Sequence, residues 1–418
     1  MNTDQSGSLA STMPGARLDY LDGARAFALL LGVVFHASLS FTPYFMGWAV
    51  QDISTGKLVA DFFLVSHSFR MELFFLLAGF FSCGLLQRQG MGGFLRSRAV
   101  RIGVPFVAGW FLLRPLVVSG WIMGAASLRG DYDFWTGIRA GFESLRQLPA
   151  GLFTGSHLWF LYYLLLVTAL LLALRFTVAG ATRAIGGEVA LTRLRARVSA
   201  MTSWLANSGW ALPLLVLPTA WALWHMRFWG LDTPDQSLRP HLPVLAIYGG
   251  GFALGWLFGR QPVETIAAFG RLTVTRTLLL AASLVATLQL NPIQADPAHP
   301  HFTAAHVAFV LSYATLMWTL VTLTLGVFRK LCATPRPVIR YVADSSYWMY
   351  LIHLPVVVWL QVAGAEWPLP WSLKLAFVSA ATIAIALLTY DLFVRSTWLG
   401  QILNGRRRER VLRGLPAR

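Results

Sequence analysis

Charge is what this chain has least of, and acidic charge least of all. Only 12% of its 418 residues are Asp, Glu, Lys or Arg, about half the fraction an ordinary soluble domain carries. With a mean hydropathy of +0.59, a soluble globular fold is excluded and an integral membrane protein is expected. Acidic residues number 18 against 34 Lys and Arg, a net charge of +16. In a soluble chain that balance would point to nucleic acid. Here basic loops on one face of a membrane account for it, and no nucleic-acid partner is expected. Cysteine is scarce too. Cys83 falls in an apolar run and Cys332 in a loop, which excludes a disulfide framework and a Cys-built metal site. No metal and no permanently bound cofactor is expected. The segment 1–17 is polar without an apolar core, so it is expected to be a disordered cytoplasmic N-terminus with no cleavable leader.

What the chain does have is long apolar runs. A helix of roughly 17–25 such residues crosses a bilayer. Runs at 24–45, 61–86, 100–119, 157–175, 209–228, 242–259, 275–291, 303–327, 342–363 and 372–394 predict an all-α polytopic membrane helix bundle with about ten transmembrane helices. The fifth and sixth are the weakest, being interrupted by Pro213, Pro218 and Pro243. Lys and Arg concentrate in the loops after the even runs and in the C-terminal RRRERVLRGLPAR, which places both termini in the cytoplasm. Residues 396–418 are then a basic, solvated cytoplasmic tail. The stretch Ser119–Gly155 reads as a long outward loop whose Asp131, Asp133 and Trp135 would suit carbohydrate if the loop is more than flexible surface. Ala179–Ala200 reads as an amphipathic interfacial helix.

The informative residues are the polar ones inside these runs. In LDYLDGARAFALLLGVVFHASLS, Asp22, Arg25 and His36 fall within roughly 40° of one another at 100° per residue. That stripe cannot face lipid without a large desolvation cost, so it should line a polar cavity. In SHSFRMELFF, His67 and Arg70 are three apart and share a face. Glu72 lies roughly 200° round from Arg70 and must find a partner on a neighbouring helix or be protonated. By rise per residue His36 sits about 16 Å beyond Arg25, and Arg70 about 14 Å below Asp61, which puts His36, His67 and Arg70 in one layer. Arg98 and Arg101 in FLRSRAVRIGVP are three apart at the opposite depth. Their spacing fits a bidentate phosphate grip, although snorkelling arginines explain spacing alone equally well. His157 and Trp159 open the fourth run near the outer surface, and His353 lies mid-span in the ninth. Asp391 and Arg395 form an i,i+4 pair best read as a structural clamp. His299, His301 and His306 lack carboxylate or Cys companions and are discounted as a metal site.

Taken together, YLDGARAFALLLGVVFHASL, HSFRMELFFLLAGFFS, RSRAVRIGVP, SHLWFLYYLL and SYWMYLIHLPV resemble the membrane acyltransferase family 3, over a transmembrane domain spanning 18–395. The HSFRM segment is similar to the subgroup associated with succinylation of osmoregulated periplasmic glucans. The resemblance implies an O-acyltransferase of the bacterial inner membrane, taking an acyl group, succinyl in that subgroup, from cytoplasmic acyl-CoA to hydroxyls of a periplasmic glucan. It implies His36 as general base, with Asp22, Arg25, His67 and Arg70 completing the catalytic set. Arg25, Arg98 and Arg101 would hold the coenzyme, and Glu72, His157, Trp159 and His353 would face the acceptor. O-acetylation of another envelope polysaccharide and a non-enzymatic transporter share these features. With a tail this short, the chain is expected to lack the extracytoplasmic hydrolase-like domain that many relatives carry. Membrane lipids are expected partners, and the oligomeric state, a homodimer included, stays open.

Overall fold

The computed structural model describes residues 18–146, 156–227, 230–334 and 336–411. The N-terminal segment 1–17, the end of the outward loop and the last seven residues lie outside the described residues. Among the described residues the chain is all helical. The helices are α1 (Asp19–Ser38), α2 (Lys57–Arg98), α3 (Val104–Ser127), α4 (Phe134–Glu143), α5 (Trp159–Asn207), α6 (Ala211–Trp224) and α7 (Leu242–Phe258). They continue as α8 (Val263–Phe269), α9 (Val274–Gln294), α10 (Phe302–Leu331), α11 (Pro337–Gly364), α12 (Trp371–Thr389) and α13 (Trp398–Asn404).

Among the described residues, seven helical stretches are long and apolar enough to cross a membrane, one of them the run Lys57–Ser127 that holds both α2 and α3. The expected fifth and sixth spans form helices, but only 14 and 17 residues long. At 1.5 Å per residue, α6 reaches about 21 Å, short of a hydrocarbon core of about 30 Å.

α1 is the centre of the bundle, packed on α2, α10, α11 and α12. α2 and α7 approach closely because glycine recurs at every fourth position of α7. A Cβ at Gly255 would stand 1.8 Å from the carbonyl oxygen of Leu76, and one at Gly79 would stand 1.9 Å from that of Phe252. Gly251 makes room for the Glu72 carboxylate, and Gly259 for the backbone at Phe80. Small residues at this spacing let membrane helices pack backbone to backbone.

Three expectations are corrected here. The described part of the stretch expected to be a loop, up to residue 146, is largely helical. α3 continues to Ser127, and α4 lies against it, with Gly137 on Met123 and Gly141 on Ser119. Asp133, read as a sugar contact, is the N-cap of α4 and accepts from the Thr136 amide at 2.6 Å. Those hydrogen bonds hold its carboxyl below the usual carboxylate range. The helix expected over Ala179–Ala200 starts later, because α5 breaks at Gly186–Gly187, the latter with φ +65°, and a second helical limb runs from there to Asn207. The solvated tail is in fact folded back as far as residue 411. Arg408 pairs with Asp344, and the Val411 amide donates to Asp391 at 3.0 Å. Asp391 also meets Arg395 at 3.8 Å, the expected clamp.

Gly255→Ala is expected to destabilise by about 1–3 kcal/mol through overpacking of α2 on α7. Gly250→Ala, where a Cβ meets nothing within 4 Å, is the matched control, and thermal melting in detergent compares the two.

Candidate active site

A cavity of about 540 Å³ runs inside the bundle between α1, α2, α5 and α11, within the size range of small-molecule sites. One wall is the predicted stripe of α1, because Asp22, Arg25, Leu29, Gly32 and His36 recur at helical spacing and all line it. The cavity has two chemically distinct ends.

The first end is basic. Arg25 is ion-paired to Asp22 at 3.0 Å and donates to the Ala343 carbonyl at 3.0 Å. Gly90, at φ +67°, breaks α2, and a π-helical turn over Ala99–Gly103 joins it to α3. This connection carries Arg98 and Arg101 to the cavity, along with Arg88. Arg98 donates to Ser82 Oγ at 2.7 Å. Arg101 donates to the Leu403 carbonyl at 3.3 Å, and its own carbonyl accepts from the Tyr347 hydroxyl. α13, in the stretch expected to be tail, therefore closes one side of this mouth, where Asn404 and Arg406 also line it.

The second end is built from imidazoles. His36 and His353 rings lie 5.2 Å apart between centroids, and His353 and His157 lie 5.4 Å apart. His67 and Arg70 face the same layer across Phe35. The His67 ring stacks on Phe35 at 5.4 Å, and the Arg70 guanidinium sits 4.1 Å over it. Gly32 lies alongside the Arg70 side chain. His67, Arg70, His157 and His353 are all buried. Charges here would each cost about 2.5–3.5 kcal/mol against lipid, so a shared polar chamber is the arrangement that tolerates them.

Partners fix several tautomers, since a carbonyl only accepts. His157 Nε2 donates to the Leu351 carbonyl at 2.9 Å, which leaves Nδ1 to accept from Ser156 Oγ. His67 Nε2 donates to the Leu231 carbonyl at 2.7 Å, and His353 Nδ1 donates to that of Tyr350 at 2.7 Å. His36 Nδ1, His67 Nδ1 and one terminal nitrogen of Arg70 have no hydrogen-bond partner among the described residues. The cavity-lining carboxylates, Asp22 and Asp344, are at the basic end. Asp22 is fourteen residues from His36, about 21 Å along the helix, so it does not orient the imidazole.

Trp159 lines the cavity as expected. Glu72 does not. It is fully buried on the opposite face of α2 from Arg70, against Gly251 of α7. Its expected place facing the acceptor is therefore corrected, and the roughly 200° between the two residues is the reason. His299 and His301 stand at the surface with rings 5.7 Å apart, while His306 Nδ1 meets Gln294 Oε1 at 3.2 Å.

Sequence reasoning missed the groups that cover the histidine end. Trp48 stacks on His36 at 5.8 Å and crosses Trp121 at 5.0 Å. Gln361 accepts from the Trp48 indole at 2.9 Å and donates to the carbonyls of His36 and Ala37 at 3.0 Å. An amide inside an apolar span was the available signal. The segment carrying Trp48 is pinned by Asp52, which is buried against Lys374 at 2.8 Å.

The acyltransferase domain family matches residues 18–391, nearly the whole chain and all of the cavity's wall apart from its α13 side. The chain belongs to that family. This acyltransferase is also 30% identical over 158 residues to "Glucans biosynthesis protein C" of Escherichia coli K12, and to the same protein of Escherichia coli O1:K1. The match covers 38% of this chain and spans 39% of the relatives' length. No solved structure matches. The acyltransferase is thus a multi-pass helical membrane protein, with a cluster of ionisable side chains lining a cavity inside the bundle.

Gln361→Leu would leave the Trp48 indole and two carbonyls of α1 without partners. A stability loss of about 1–3 kcal/mol is expected, read by thermal melting, with acyl transfer falling because the C-terminal turn that holds His36 loosens.

Proposed function

We propose that this acyltransferase carries an acyl group from cytoplasmic acyl-CoA to a hydroxyl of a periplasmic glucan across the bacterial inner membrane. The observation that carries the reading is the single cavity with a phosphate-suited basic mouth at one end and an unpartnered imidazole at the other. Ten crossings result when α2 and α3 each span, and when α6 and α7, although short, span across a locally thinner bilayer. The Lys/Arg bias then sets the basic mouth and both termini in the cytoplasm.

In this reading Arg98 and Arg101 take the coenzyme phosphates, and Asp22 with Arg25 shapes the donor entrance. The thioester reaches His36 along α1. A sugar hydroxyl is a weak nucleophile at neutral pH, so His36 removes its proton as the oxygen attacks the thioester carbon. Arg70 faces the negative charge that develops on the carbonyl oxygen. Collapse of the tetrahedral intermediate breaks the C–S bond, and the imidazolium returns its proton to the departing thiolate. His67, His157 and His353 hold the rest of the chamber, with Trp159 in its wall. A succinyl group would place its free carboxylate among these cationic and donor groups, which favours succinyl over acetyl. The acceptor arrives from the side covered by Trp48, and that cover must move aside.

His36→Ala is expected to lower transfer by about 10²–10⁴-fold, the usual worth of a positioned base, with membrane insertion unchanged. Full activity would remove His36 from the chemistry. Arg98→Ala and Arg101→Ala should each raise KM for acyl-CoA by about tenfold or more, as loss of a charge-assisted hydrogen bond does, with kcat little altered. Mass analysis of periplasmic glucans from cells with and without the protein should differ by one succinyl unit per modified sugar. A difference of one acetyl unit, or modification of another polysaccharide, would replace the donor or acceptor named here.

A further inference from the structure

A second cavity, of about 590 Å³, lies away from the first, in a groove between α2, the two limbs of α5 and the end of α7. It forms because α5 breaks at Gly186–Gly187, so that residues 191–198 fold back to face 171–179. Gln261, just past α7, donates to Ser199 Oγ at 2.8 Å and fastens the returning limb. The walls are apolar, with Leu171 and Leu174 on one limb and Leu191 and Leu194 on the other. Leu174 is 60% exposed, so the groove is open sideways.

Three arginines from three separate segments converge on this groove: Arg175, Arg195 and Arg260. No carboxylate lines it. None of the three side chains makes an ion pair or hydrogen bond with another described residue, and Arg175 feels the repulsion of the other two. Snorkelling arginines at a membrane face splay outward toward headgroups and water. These three instead surround one apolar recess. All three are exposed, an anion between them would relieve the repulsion that solvent screening leaves, and the walls below them are mostly apolar. One molecule fits both, an amphiphile with an anionic head and acyl tails.

We propose that this groove is a binding site for one anionic phospholipid, its phosphate held by Arg175, Arg195 and Arg260 and its acyl chains lying along the leucines of the two α5 limbs. The groove meets α2 at Cys83 and Gln87, near the end that carries Arg98, so the lipid belongs to the leaflet on the basic side. The site is independent of the acyl-transfer reading, since none of its residues lines the first cavity.

The test is native mass spectrometry of the full chain released from detergent with phosphatidylglycerol or phosphatidylcholine present. The wild type should retain phosphatidylglycerol about tenfold more than phosphatidylcholine, in keeping with the worth of a few basic residues at an anionic surface. Arg175→Gln/Arg195→Gln/Arg260→Gln should abolish that preference. Arg193→Gln/Arg197→Gln, which changes arginines of the same limb outside the groove, should keep it. Arg260→Gln alone should reduce it, which guards against a triple variant that fails to fold. Equal retention of the two lipids by the wild type would overturn the proposal. So would an undiminished preference in the triple variant, or displacement of the lipid by millimolar inorganic phosphate.

Discussion

Ionisable groups inside a lipid-embedded bundle must share a polar chamber, and the architecture of this acyltransferase follows from that constraint. His36, His67, His157, His353 and Arg70 come from α1, α2, the start of α5 and α11, and all of them line one cavity. Dispersed, each would bear its own desolvation cost. Gathered, they share one polar chamber and leave proton-accepting nitrogens there, with arginine lining its other end. α1 sits at the centre of the bundle because it supplies both the basic mouth and the histidine end from a single stripe.

The surrounding packing keeps that chamber in shape. The glycines of α7 let α2 approach closely, which holds His67 and Arg70 at the depth of His36. On the far side, Gln361 ties α11 to the last turn of α1 and to Trp48. The buried Asp52–Lys374 pair anchors the Trp48 segment to α12. Breaking such a pair costs more than forming it contributes, so this cover has one well-defined closed position. The basic mouth is less enclosed, bordered by the π-helical turn at Arg101 and by α13.

How much of this could be read in the chain depends on how local each feature is. The stripe of Asp22, Arg25 and His36 was legible because helical periodicity relates residues along a single element. The shared depth of His36, His67 and Arg70 followed from rise per residue. The convergence of Arg98 and Arg101 was legible as spacing, but the break at Gly90 and the π-helical turn that deliver them were not. Glu72 was visibly off the Arg70 face, yet its burial against Gly251 depended on which helix packs there. The recurrence of Gly251, Gly255 and Gly259 is plain in the sequence, but nothing local names α2 as the partner. Gln361 and Trp48 act across more than three hundred residues, and the fold-back of the stretch after residue 395 depends on Asp344 and Asp391. Short-range pattern located the chemistry, and long-range packing decided what encloses it.

The most direct measurement is a structure of the protein with a non-hydrolysable thioether analogue of acyl-CoA. The account predicts the coenzyme phosphates against Arg98 and Arg101, the chain of the analogue running beside α1, and its acyl carbon next to the His36 ring. An analogue seated with its phosphates elsewhere, or with its acyl carbon remote from His36, would contradict it.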